Sequence, residues 1–208
     1  MSRMLRLLWV ALLSVASGCV VSDGGSGSSS GCDPWNCDGC CSAGVCLSGY
    51  ENSACGVGGQ LCTTCAGNEV CLSDGSCGVD PESYWYVQPI SATIAATDSG
   101  TAWDSIDGSP PDVKVSMACP PSSKPDSTST PESESYYPSW TTGGCVAQAK
   151  HLLAEPVQFK LMDVDVITGD PITANLYLQV IPQDFSYGQI VLGGSGDMNS
   201  ITFSIEPY

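Results

Sequence analysis

Beyond Arg6 the chain has no arginine. Its remaining basic residues are Lys114, Lys124, Lys150 and Lys160, and His151 is its single histidine. Against these stand 22 acids, giving a formal net charge of −16 over 208 residues. That balance excludes nucleic-acid binding, because affinity for a phosphate backbone comes from clustered Lys and Arg. Attraction to anionic lipid would need a bridging cation. Signatures of catalysis are equally scarce. There is no H-E-x-x-H, and His151 stands in no motif, so a surface or packing role is expected for it. Gly193-Gly194-Ser195-Gly196 is too short for a dinucleotide fingerprint and reads as a hairpin turn. Paired carboxylates could serve glycoside hydrolysis, but no row of sugar-binding aromatics accompanies them. An enzyme is not expected. Leu7 to Val15 is apolar but far shorter than the roughly 20 residues that span a bilayer, so no permanent transmembrane helix is expected there.

Residues 1–18 instead read as an export signal: Arg3 and Arg6 precede the apolar run, and Ala16, Ser17 and Gly18 lead into Cys19. Ala16-Ser17-Gly18-Cys19 resembles the bacterial lipobox, which implies that Cys19 is lipidated and becomes the mature N-terminus. Ala16 departs from the Leu more usual there, and ordinary cleavage with an incidental Cys19 is the alternative. Removing Cys19 from the 13 cysteines leaves 12, which can pair completely. Val20 rather than Asp after the cysteine implies, by the same resemblance, an outer-membrane or surface location. Residues 19–31 then form the anchor and a Gly/Ser tether, VVSDGGSGSSSG, with a root-mean-square reach of about 20 Å.

Residues 32–79 hold ten cysteines: Cys32, Cys37, Cys40, Cys41, Cys46, Cys55, Cys62, Cys65, Cys71 and Cys77. Cys37, Cys40, Val45, Cys46, Leu47 and Ser48 recur 25 positions later as Cys62, Cys65, Val70, Cys71, Leu72 and Ser73, the mark of a duplicated unit. A segment so poor in apolar residues needs covalent staples, and an exported chain meets an oxidising compartment, so five disulfides are expected. The two C-x2-C pairs also have the look of a four-thiolate zinc site, which is the alternative. A redox pair is disfavoured because neither C-x2-C lies between a strand pattern and a helix pattern. The repeat resembles cysteine-rich spacers of bacterial surface lipoproteins, a likeness that implies no activity.

From residue 80 to 208 short period-2 segments appear, at Trp85 to Ala96, Val113 to Cys119, Val157 to Asp163, Ala174 to Ile181, Tyr187 to Leu192 and Ser200 to Glu206. Thr128 to Ser135 suggests an irregular edge strand, and Val146 to Leu153 a short helix. The expected fold is mainly β: an antiparallel sandwich preceded by a small disulfide-rich module. Cys119 and Cys145 flank a Ser/Thr/Pro-rich excursion and are expected to close it, two buried thiols being the alternative.

The stretch Phe159 to Asp170 joins this pattern to chemistry. Val157, Phe159 and Leu161 share one face, and the same parity carries Asp163 and Asp165. Acids in an inward row are costly unless something compensates them, although Asp in loops is also an ordinary turn former. Asp104 to Val115, DSIDGSPPDVKV, resembles the first calcium-binding loop and following strand of C2 domains. Tyr137-Pro138-Ser139-Trp140 resembles that family's N-P-x-W corner, and Val157 to Asp170 its strand into the third loop. The first loop lacks the usual Pro-Tyr pair, the corner lacks its Asn, and Asp165 to Asp170 is one residue short.

The resemblance implies a C2-like sandwich over residues 80–208. In it Asp104 or Asp107, with Asp112, would meet Asp163, Asp165 and Asp170 at one end around Ca2+, with a Kd of about 0.1 to 1 mM. The function expected is that of a lipid-anchored surface protein that engages lipid, an envelope polymer or a protein through calcium. A metal-free structural spacer is the alternative, and a secreted hydrolase ranks last.

Overall fold

A computed structural model describes residues 31–103, 108–165 and 169–208. The cysteine-rich segment folds into short hairpins: β1 (Cys40–Ser42), β2 (Val45–Leu47), β3 (Tyr50–Glu51), β4 (Ala54–Cys55), β5 (Gln60–Leu61), β6 (Glu69–Cys71) and β7 (Cys77–Val79). All ten cysteines are paired, as Cys32–Cys41, Cys37–Cys46, Cys40–Cys62, Cys55–Cys71 and Cys65–Cys77. The sulfurs do crowd together, Cys32 with Cys37 and Cys46, and Cys55 with Cys65 and Cys77, but as disulfides they offer no thiolate to a metal.

The pairing does not copy itself at the 25-residue offset. Cys37 bonds Cys46, whereas their counterparts Cys62 and Cys71 bond Cys40 and Cys55. What repeats is an interlaced order: 37–46 crosses 40–62, and 55–71 crosses 65–77. Covalent closure replaces a core here, since Trp35 and Leu61 lie 97% and 83% exposed while Cys40 and Cys55 are fully buried.

The sandwich follows as β8 (Tyr84–Ile94), β9 (Asp112–Cys119), β10 (Asp126–Ser129), β11 (Ser133–Glu134), β12 (Cys145–Gln148), α1 (Ala149–Ala154), β13 (Val157–Val164), β14 (Gly169–Pro171), β15 (Leu176–Leu178), α2 (Asp184–Tyr187), β16 (Gln189–Ser195) and β17 (Met198–Pro207). One sheet runs β12-β8-β17-β16 and the other β10-β9-β13-β14, with β11 also on β9 and β15 also on β13. All these pairs are antiparallel.

Alternation decides which side chains go inside. Val113, Val115, Met117 and Cys119 of β9 and Val157, Phe159 and Leu161 of β13 are buried from one sheet. Val87, Ile94, Ile201, Phe203 and Ile205 meet them from the other. Phe159 and Phe203 touch edge to face, their centroids 5.1 Å apart. Cys119–Cys145 ties the two sheets together.

β8 changes parity on the way. Thr202 pairs Ser91 while Phe203 pairs Pro89, a bulge that skips Ile90. The inward set therefore moves from Trp85 and Val87 to Ala92 and Ile94. Past the bulge, β8 bonds the Pro138 to Trp140 corner, with Ala92 N–H on the Pro138 carbonyl and Trp140 N–H on that of Ile90, each 3.0 Å.

Both edge partners of the second sheet are interrupted, and a threonine spans each break. Thr130 is 2% exposed. Its Oγ1 accepts the Val115 N–H at 3.0 Å, and its own N–H donates to the Val115 carbonyl at 2.9 Å. Thr173 repeats the device on β13, accepting the Leu161 N–H at 3.0 Å. A hydroxyl thus stands in for the missing strand carbonyl.

Candidate functional site

The carboxylates gather where β9 begins, β13 ends and β14 begins. In the register Asp163 lies opposite Val113 on one side and opposite Asp170 on the other. Asp112, Asp163 and Asp170 therefore sit on three neighbouring strands at one rim of one sheet. Asp163 continues the inward row of Val157, Phe159 and Leu161 and is 3% exposed. Asp165 shares its parity but lies past the end of β13 at Val164 and is exposed. Asp104 and Asp107 lie outside the described residues, as does Cys19.

The Asp112 N–H donates to Asp163 Oδ1 at 2.7 Å, fastening the two strands at the rim. Burial nevertheless pushes the Asp163 carboxyl above the usual carboxylate range, and the charges of Asp165, Asp112 and Asp170 push it the same way; the Asp112 amide opposes them. Among the described residues no lysine acts on it. The protein thus places an acid where both solvent loss and like charge disfavour its ionised form.

Two further acids share this pole. The β16–β17 turn is Gly196-Asp197, two residues long with Ser195 opposite Met198, and Gly196 has φ +61°. The Gly193–Ser195 segment read as the turn belongs to β16 itself. Asp197 N–H donates to the Ile172 carbonyl at 3.1 Å, its own carbonyl accepts the Ala95 N–H at 2.7 Å, and its Oδ1 accepts the Ser99 N–H at 3.4 Å. Asp98 pairs with Thr101 beside it. Sequence reading missed Asp197 because a Gly-Asp pair between strands has the look of turn chemistry alone.

Hard carboxylate oxygens are the donor chemistry of Ca2+, which takes about six to eight of them at about 2.3 to 2.6 Å. Asp112, Asp163, Asp165 and Asp170 fit that ion by type. Among the described residues, however, no three carboxylate oxygens from different side chains lie within 4.8 Å of one another. The donor set is assembled on the rim but not drawn together.

The sequence matches no protein-family model and no curated protein. Similar solved structures include C2 domains. One described as the structure of a C2 domain is 12% identical with a TM-score of 0.39, covering 59% of this chain and 97% of that one. A C2 domain of plant extended synaptotagmin 1 is 11% identical with a TM-score of 0.42, covering 62% and 98%. A calcium-bound pair of C2 domains from extended synaptotagmin 2 is 13% identical with a TM-score of 0.42, covering 61% and 46%. These structures belong to the fold family that the three sequence motifs resemble, while the sandwich itself is defined by its own strand order and register.

Proposed function

We propose that residues 80–208 are a calcium-dependent binding domain in a non-catalytic protein exported through residues 1–18 and held at the cell envelope, at an outer membrane or cell surface, by lipid on Cys19. Through Ca2+ it engages a lipid headgroup, an envelope polymer or a partner protein. One observation supports this above others: a buried carboxylate, Asp163, with Asp112, Asp165 and Asp170 acting on it and no lysine among them. Bound Ca2+ supplies the positive charge that relieves this repulsion, and a phosphate or carboxylate of the ligand supplies oxygens the protein does not. Asp112, Asp163, Asp165 and Asp170 would hold the ion, with Asp104 or Asp107 contributed by the preceding loop. The six disulfides of the described residues accord with export into an oxidising compartment.

With a Kd of about 0.1 to 1 mM and about 10 mM free Ca2+, linkage stabilises the fold by about 1.4 to 2.7 kcal/mol. Melting in Ca2+ against melting in EDTA measures it, and identical curves reject the site. A chain lacking residues 1–19, which removes the anchor from the experiment, is expected to float with phosphatidylserine liposomes in Ca2+ only. Flotation in EDTA would overturn the mechanism. The separation of the described carboxylates favours a second reading, a sandwich that serves only as a stable spacer. Asp163→Asn with Asp165→Asn distinguishes the two, because a spacer has no ion response to lose.

A further inference from the structure

At the end of β8 opposite the acidic pole, the cysteine-rich module and the sandwich border an open recess of about 380 Å³. That lies within the range of about 300 to 1,000 Å³ typical of small-molecule sites. Its floor is aromatic. Trp85 and Phe185 meet edge to face with centroids 4.7 Å apart, and Val79 packs beside them. One wall is the β6–β7 hairpin, and the other is the turn entering α2, with Gln183 and Ser186 at its lip.

Both walls are held in place without a ligand. Cys77 is bonded to Cys65, and the Asp80 N–H donates to the Asn68 carbonyl at 2.8 Å. The indole Nε1–H of Trp85 donates to Ser83 Oγ at 2.8 Å, and the Gly188 N–H closes α2 on the Asp184 carbonyl at 2.9 Å. A cavity fixed from both sides does not have to be ordered when something enters it.

Charge selects what enters. Glu69 is the one acidic side chain in the lining, which holds no Lys, Arg or His. Only Glu69 Oε2 is engaged, by the Ala66 N–H at 2.9 Å. Residues 31–80 contain no basic residue at all, Asp184 lies next to the lining Gln183 and Phe185, and Lys150 is taken up by Glu82 at 2.7 Å. A recess walled by one sign of charge repels ligands of that sign and concentrates the other. Among the described residues the side chains of Asn68, Gln183 and Ser186 have no protein partner and face no competitor for a ligand's polar atoms.

We propose that this cavity binds a small organic cation with a flat apolar body, an aromatic amine being the simplest. The body contacts the small exposed parts of the otherwise buried Trp85 and Phe185 rings together with Val79, and Glu69 receives the ammonium. The duplicated cysteine module then has a task beyond spacing, since without β6 and β7 the aromatic floor has no opposite wall.

The test uses the full chain with its disulfides formed, three probes of similar size and saturation-transfer NMR. Phenethylamine, 2-phenylethanol and phenylacetate each carry a phenyl ring on a two-carbon chain, with a cationic, neutral or anionic polar end. Phenethylamine is expected to saturate, 2-phenylethanol to bind about fivefold more weakly, and phenylacetate at least tenfold more weakly. Glu69→Gln is expected to weaken the amine about fivefold and to erase its advantage over the alcohol. Ser186→Trp, or Gln183→Trp should the first variant not fold, places an indole at the lip and is expected to abolish binding with an unchanged melt. Equal binding of phenylacetate, an undiminished amine signal in the folded Trp variant, or no saturation by phenethylamine would each overturn the proposal.

Discussion

Asp163 carries the largest electrostatic penalty at the pole, and a single substitution reads it out. Its raised pKa means that the folded chain holds a proton at pH values where the unfolded chain has lost it. The sign follows directly. The stability contributed by the protonated form is complete below the ordinary Asp value of about 3.9, and it is lost as pH rises through the higher folded value. Asparagine keeps an oxygen for the Asp112 amide and removes the charge. In EDTA, Asp163→Asn is therefore expected to melt above the wild type at pH 7 and to lose this segment of the pH profile. In Ca2+ the order is expected to reverse. Thermal melts from pH 3 to 8, with and without the ion, check both statements. Asp163 was visible in the sequence because its parity matched Leu161 and Phe159. Asp165 matched equally well, yet it is exposed: alternation carries information only while the strand lasts, and β13 ends at Val164.

At the level of elements, long strands were legible and interrupted ones were not. β9, β13 and β17 follow their apolar rows closely, because a half-buried strand must alternate. Residues 174 to 181 looked like one strand, but only Leu176–Leu178 pairs there, and Gly169–Pro171 forms a separate piece upstream. The edge at Thr128 to Ser135 was rightly irregular, falling into β10 and β11. Val146 belongs to β12, with the helix starting only at Ala149. Nothing local announces α2, which is four residues long. The threonine clips were also invisible, since a Thr hydroxyl that replaces a carbonyl depends on a partner 12 to 15 residues away. Thr130→Val and Thr173→Val each leave a buried N–H without an acceptor, so each is expected to cost about 1 to 3 kcal/mol. Thr→Ser at either site keeps the oxygen and should recover most of that loss. Urea unfolding of the four variants measures the difference.

For the whole molecule, two strategies of stabilisation sit side by side. The sandwich buries a continuous apolar core, and Cys119–Cys145 adds about 3.5 kcal/mol on the chain-entropy estimate. The module relies on its five bridges. Reductant is therefore expected to expose Glu51 and Glu69 to a glutamate-specific protease well before the sandwich strands are cut. Mass spectrometry of the surviving fragment decides this, and simultaneous loss of both parts would show that they unfold together.

The number of cysteines announced the bridges, but which sulfur meets which was beyond reading, because the duplicated halves exchange partners. The tip of the β16–β17 hairpin has a separate consequence. Asp197 grips Ile172 with its amide and Ala95 with its carbonyl, and Gly196 leaves only 2.5 Å between the Ile172 carbonyl and where a methyl would sit. The segments that follow β8 and β14 are thereby joined through one two-residue knuckle. Gly196→Ala is therefore expected to wedge that junction apart without removing any acidic residue from the chain.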